Sequence, residues 1–213
     1  DIINRRAIQW FPGHMAKTRR LMAESLPLID GVAEIIDARI PISSRNPDLD
    51  EIVKDKPRIV LMNKADIADA EANKKWIEFF KERGTEALPV DCKMGKGLGG
   101  FTDKVNAVMG DRLQKFKDKG MTGRTLRLMV VGIPNVGKSS FINRMAKNNK
   151  AKVADRPGVT RGNQWFSIGK GIELMDTAGV LWPKFDDKAV GERLAFTGAV
   201  KDVVTDTELL AVR

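Results

Sequence analysis

A chain of 213 residues, 42% hydrophobic and 31% charged, has the composition of a soluble globular protein and the length for one sizeable α/β domain or one domain with an appendage. Its one cysteine, Cys92, excludes an internal disulfide framework and fits a reducing cytosol; no signal-peptide pattern is read and no apolar run is long enough to span a bilayer, so a cytoplasmic protein with no membrane partner is expected. The 37 basic against 28 acidic residues give a net charge of +9, which favours polyanionic partners and salt-dependent binding.

Residues 1–28 read as an arm, Trp10-Phe11-Pro12-Gly13-His14, followed by a basic helical stretch from Met15 to Leu26 that packs beside the main body. Then short apolar runs alternate with amphipathic stretches. Strands are expected at 30–37, 58–63, 87–91, 126–132, 164–168 and 172–176, each bounded by Gly, Pro or Asp. Helices are expected over 70–83, with Ala72, Trp76, Phe79 and Phe80 on one face, and over 98–116, with Phe101, Val105, Val108 and Met109 on one face. Strands alternating with helices predict a mostly parallel six-stranded sheet covered on both sides, with ligands at the carboxyl ends of the strands. Residues 29–185 would form this domain. Residues 186–213 read as a helix and connector, and the stop at Arg213 inside the apolar run Leu209–Val212 leads us to expect a truncated C-terminal domain. Basic residues gather at Arg5–Arg20, at Lys115–Arg127 and at Arg144–Arg161; each cluster reads either as a solvated face or as a nucleic-acid contact.

The segment Gly132-Ile133-Pro134-Asn135-Val136-Gly137-Lys138-Ser139 matches G-x-x-x-x-G-K-[ST], with an apolar strand before it and an amphipathic helix from Ser140 to Lys147 after it. Glycines allow a turn whose N–H groups point inward around phosphate, and the helix N-terminus adds positive potential. The backbone and side chains from Pro134 to Ser140 are therefore candidate phosphate ligands, with Lys138 on the β- and γ-phosphates and Ser139 on Mg²⁺. A second motif, Asn63-Lys64-Ala65-Asp66, follows an expected strand. The Asp66 carboxylate can accept from N1–H and the N2 amino group of guanine, a donor pair that adenine lacks. Asn63 would support the loop, and the Lys64 stem would lie over the base. Asp91-Cys92-Lys93, at the end of another strand, can offer a backbone N–H to guanine O6. Asp176-Thr177-Ala178-Gly179 ends the last strand: Asp176 would hold Mg²⁺ and the Gly179 N–H would sense the γ-phosphate. Thr160, in Pro157-Gly158-Val159-Thr160, is the candidate switch hydroxyl for Mg²⁺.

These elements are those of the translation-factor-type GTPases, here in the order guanine motif, O6 loop, P-loop, Thr160, Asp176–Gly179. With Ile8–Lys17 (IQWFPGHMAK), Asp37–Pro41 (DARIP), Ser43–Pro47 (SSRNP) and Leu181–Lys184 (LWPK), the chain closely resembles the bacterial ribosome biogenesis GTPase A (YlqF-type) group of circularly permuted GTPases. The resemblance spans the chain from about Ile8. It implies a three-layer P-loop fold, GTP and GDP as ligands with Mg²⁺, and a cytoplasmic factor acting on the large ribosomal subunit and its rRNA, with ribosome-stimulated hydrolysis and a C-terminal RNA-binding domain. A monomer is expected.

Val180 follows Asp176–Gly179 where many GTPases place a water-orienting Gln, and it cannot bond a water. His14, the one histidine, is the candidate substitute; the resemblance supports it, and the other reading is a structural or RNA-contact histidine. Asn135 occupies a position associated in related GTPases with a K⁺ ion that supplies the charge of an arginine finger. Two further readings are a nucleotide-gated RNA-binding module with negligible hydrolysis, which Val180 favours, and a P-loop ATPase or kinase, which Asp66 disfavours.

Overall fold

The structure, a computed structural model, describes residues 12–46, 48–53, 55–133, 136–148 and 163–177. Six strands form one sheet: β1 (Gly31–Asp37), β2 (Arg58–Asn63), β3 (Glu86–Pro89), β4 (Leu126–Val131), β5 (Asn163–Gly169) and β6 (Ile172–Thr177), in the order β3-β2-β1-β4-β6-β5. Every pairing is parallel except β5 with β6, a hairpin turned through Lys170 and Gly171, both at positive φ. The expected strands are all present. The third is shifted, because the chain after Pro89 turns into a loop instead of continuing to Asp91.

Helices cover both faces. Successive side chains of a strand point to opposite faces. Ala33, Ile35, Ile59, Leu61, Leu128, Val130 and Leu174 meet α4 (Phe101–Asp118) and α5 (Lys138–Asn148) on one face, where Phe101 and Phe141 meet edge to face at 5.2 Å. On the other face lie α1 (Pro12–Ser25), α2 (Leu49–Ile52) and α3 (Ala70–Glu82). Met22 and Leu49 join Val32, Met129, Val131 and Met175, while Phe80 joins Ile36, Val60 and Met62. Met22 is fully buried, so α1 belongs to this core.

The helix boundaries have local causes. The Asp69 side chain accepts from Ala72 N at 2.6 Å and starts α3; Gly84, at φ +71°, ends it by letting Thr85 N reach Phe80 O. The α4 helix begins after a 3-10 turn at Leu98–Gly100 and runs two residues beyond expectation. The α5 helix opens at Lys138, two residues before the expected start. The short α2 was not foreseen, since one turn of helix carries no periodicity. The α1 helix already includes Pro12, a residue suited to a first turn, so His14 stands in that turn and not in a preceding loop.

Candidate nucleotide-binding site

Parallel pairing sends the carboxyl ends of β1, β2, β3, β4 and β6 to one edge of the sheet. Their order sets the layout. The guanine motif after β2 and the loop after β3 lie on one side, and the P-loop after β4 and Asp176 of β6 on the other. The end of β1, Asp37, stands between them, paired in register with Asn63.

Asn63 joins the two sides. Its Nδ2 donates to Val136 O at 2.6 Å, and its Oδ1 accepts from Cys92 N at 2.9 Å. The side chain is buried, so both of its polar atoms depend on these partners. The P-loop accommodates it through Gly137, which sits at φ +110° and where a Cβ would overlap Asn63 Nδ2. Gly132 has a similar constraint: a Cβ there would lie 2.9 Å from Val136 Cγ2 and 3.1 Å from Ile35 O. Sequence reading foresaw these glycines for the phosphate turn; the Asn63 contact adds a reason no local pattern reveals.

The loop after β3 can be accounted for group by group. Asp91 N donates to Lys96 O at 2.9 Å, Cys92 N to Asn63 Oδ1, Met94 N to Asp91 Oδ1 at 3.0 Å and Gly95 N to Asp91 O at 2.7 Å. Among the described residues the Lys93 N–H has no acceptor, and Lys93 is exposed. Of the three residues expected to serve guanine O6, Cys92 spends its N–H on Asn63, and Lys93 alone keeps one to offer. The Cys92 thiol is buried, and desolvation, aided by the Asp91 charge, pushes it up to about 12, so it stays neutral.

Lys64 is held in the left-handed region at φ 61°, where non-glycine residues are rare, and its Nζ is 3.4 Å from Asp37 Oδ2. Asp37 also takes a fork from Arg39, with Nε at 3.0 Å and Nη2 at 2.7 Å, plus the Arg39 N–H at 2.9 Å. Burial pushes the Asp37 carboxyl up, but the hydrogen bonds and charges of Arg39 and Lys64 outweigh it and hold the group below the ordinary aspartate value. A depressed folded-state value stabilises the fold above the unfolded-state pKa of about 3.9. That stability is lost as pH falls toward the folded value. Melting of the wild type is thus expected to drop steeply below about pH 4, and melting of Asp37→Asn to drop less over the same interval. Parallel acid limbs would contradict this assignment.

Asp66 lies in the 3-10 turn Ala65–Ile67, exposed and without a hydrogen bond or ion pair among the described residues. Lys138 Nζ lies 3.0 Å from Asp176 Oδ1, bringing the P-loop ammonium and the β6 carboxylate together, with Ser139 exposed beside them in the first turn of α5. Pro134, Asn135, Thr160, Gly179, Val180 and the His14 side chain lie outside the described residues.

Several residues of the basic clusters make contacts within the fold. Arg124 lies 3.5 Å from Asp30 and 3.8 Å over the Phe116 ring; Arg127 pairs with Glu173; Arg19 pairs with Asp48 and Glu51. Arg144 Nη2 donates to Lys93 O. A buried acid escaped sequence reading: Glu34, in the middle of β1, is bonded by Arg45 and Arg58.

Comparison with known proteins agrees with this geometry. A family model described as 50S ribosome-binding GTPase matches residues 127–210. The chain is similar to Ribosome biogenesis GTPase A of Bacillus cereus, 51% identical over 205 residues that cover 96% of this chain and 69% of the relative. Ribosome biogenesis GTPase A of Thermotoga maritima is 33% identical over 193 residues, covering 91% of this chain and 66% of the relative. Among solved structures, GNP-bound YlqF from T. maritima superposes with a TM-score of 0.64 at 27% identity, covering 92% of this chain and 72% of that one.

Proposed function

This chain belongs to the ribosome biogenesis GTPase A family, as a GTPase of circularly permuted P-loop fold, and from that membership we propose that it binds GTP and hydrolyses it as an assembly factor of the large ribosomal subunit, whose rRNA it contacts and which stimulates its turnover. The observation that carries the guanine part is the set of hydrogen bonds in this loop: with the other N–H groups of Asp91–Gly95 committed, the Lys93 N–H is the donor for O6, while the Asp66 carboxylate, unpartnered among the described residues, takes N1–H and N2. Asn63 orients both loops, and the Lys64 stem covers the base. A ligand that keeps O6 and N1–H but exchanges the N2 amino group for an oxygen tests this. Asp66→Asn is expected to weaken GDP about a hundredfold, by loss of a charge-assisted hydrogen-bond pair, and to strengthen xanthosine diphosphate, whose O2 accepts from the new amide. Titration of both nucleotides decides it; an unchanged GDP affinity would remove Asp66 from the base site.

On the phosphate side, the N–H groups from Asn135 to Ser140 would surround the β-phosphate, and Lys138 would reach the β- and γ-phosphates. Ser139 and Asp176, a hydroxyl and a carboxylate at the mouth of the P-loop, suit a hard divalent cation, with Thr160 completing the set in the GTP form and the Gly179 N–H on the γ-phosphate. A magnesium ion held by these residues would supply positive charge for the phosphate oxygens. We assign K⁺ to Asn135 on sequence grounds, and exchange of K⁺ for Na⁺ is expected to slow turnover.

Val180 has no group to orient a water, and His14 takes that role in this proposal. Hydrolysis in K⁺ buffer, with and without large subunits, is expected to rise strongly with subunits for wild type and to stay low for His14→Ala while GTP binding persists. A stimulation equal in both proteins would exclude His14 from catalysis. Absence of stimulation would favour the reading as a nucleotide-gated RNA-binding module.

A further inference from the structure

We infer that Arg144, in the second turn of α5, is a positioning residue for guanine recognition, holding the Asp91–Lys96 loop so that the Lys93 N–H faces O6 of the base. The inference rests on the GTPase reading above and extends it to a residue outside the nucleotide motifs.

Three features of the loop lead to it. The Arg144 guanidinium donates to Lys93 O. On the other side of the same residue, the Cys92 N–H is tied to Asn63 Oδ1. The uncommitted Lys93 N–H therefore lies between two anchored backbone groups, one held from β2 and one from α5. Two fixed flanks restrict the rotation of the Cys92–Lys93 peptide and with it the direction of the N–H. The loop is shaped to receive the arginine: Gly95 sits at φ +82°, and a Cβ there would come within 3.3 Å of Arg144 Cδ and 3.4 Å of its Nε. A side chain at position 95 would crowd the stem of the arginine on its way to Lys93 O.

The anchor comes from the helix that begins at Lys138 and Ser139. Its first turn carries candidate phosphate ligands, and its second turn carries the brace of the O6 donor. One rigid element thus sets the distance between phosphate and base recognition. The permuted order makes such a tie useful: Lys93 and Lys138 are separated along the chain by the whole of α4 and β4. Preorganised donors strengthen binding by lowering the cost of ordering the loop on association.

The test is the affinity of purified protein for GDP and for 6-thio-GDP, in which sulfur, a poor acceptor, replaces O6. Titrations are run on wild type, Arg144→Ala and Arg144→Lys. Wild type is expected to prefer GDP about fivefold, the worth of one neutral hydrogen bond. Arg144→Ala is expected to bring the ratio to about one, because a wandering N–H no longer distinguishes oxygen from sulfur. Arg144→Lys, which keeps a charged donor on a long stem, should recover part of the preference. A merely structural role would weaken both ligands alike, so an unchanged ratio in Arg144→Ala overturns the inference even if both affinities fall. Wild type that binds ADP as tightly as GDP would instead overturn the guanine-binding reading itself, a result visible before any variant is made.

Discussion

Gly137→Ala is expected to lower guanine-nucleotide affinity about a hundredfold or more, a loss set by two costs of about 1–3 kcal/mol each. The first is backbone strain: Gly137 sits at φ +110°, outside the regions that an alanine occupies readily. The second is the contact with Asn63, whose Nδ2 occupies the place a Cβ would take. Asn63 must then withdraw from Val136 O and from Cys92 N, orphaning buried groups and releasing the P-loop and the O6 loop together. Equilibrium titration with a fluorescent GDP measures the loss. Combining it with Asn63→Ala tests the cause. If the two act through one contact, the double variant is barely weaker than Gly137→Ala alone; additive losses would place the glycine's role in the phosphate turn only.

The sheet and its flanking helices were legible in the sequence because the strands were apolar runs bounded on one side or the other by Gly, Pro or Asp, and because the motifs marked strand ends. Residues 87–91 show the limit. Apolar pattern cannot separate Leu88 and Pro89, which lie in β3, from Val90 and Asp91, which turn away, since Val90 is buried in the loop as fully as a strand residue. Local pattern also identified Asn63 but not both of its partners, which come from segments 29 and 73 residues away. Arg144 and Arg127 read as members of basic clusters because charge alone does not reveal a backbone carbonyl or a glutamate across the fold. The DARIP and SSRNP segments were visible as motifs without a mechanism. The structure supplies one: Asp37 gathers Arg39 and Lys64, and Ser44 Oγ accepts from Asp37 N at 2.8 Å, folding residues 37–46 back onto the end of β1 between the two halves of the site.

That loop depends on a charge buried in the sheet, and from it comes the expectation that Glu34→Ala destabilises the protein by about 3–5 kcal/mol, the range for breaking a buried ion pair by removing one partner. Val32, Glu34 and Ile36 share one face of β1, and the two apolar residues belong to different clusters, so Glu34 stands at the seam between them. It is 2% exposed. Arg45 reaches its carboxylate through Nε at 2.9 Å and Nη2 at 3.0 Å, Arg58 through Nη1 at 3.3 Å, and both arginines continue to Asp50 nearer the surface. Burial opposes the charge of Arg45, but its bonds to Glu34 and Asp50 outweigh that and raise its pKa, so it stays cationic at every relevant pH. Taking away Glu34 leaves two largely buried guanidinium groups whose one carboxylate partner among the described residues is Asp50, itself mostly exposed. Glu34→Gln keeps an acceptor of similar shape without the charge and should fall between alanine and wild type. Denaturant unfolding measures the loss, and trypsin cleavage after Arg39 or Arg45 reports whether the loop loosens first. A loss under about 1 kcal/mol would mean that water and Asp50 satisfy the arginines unaided, and that the loop is held by Ser44 and Asp37 instead.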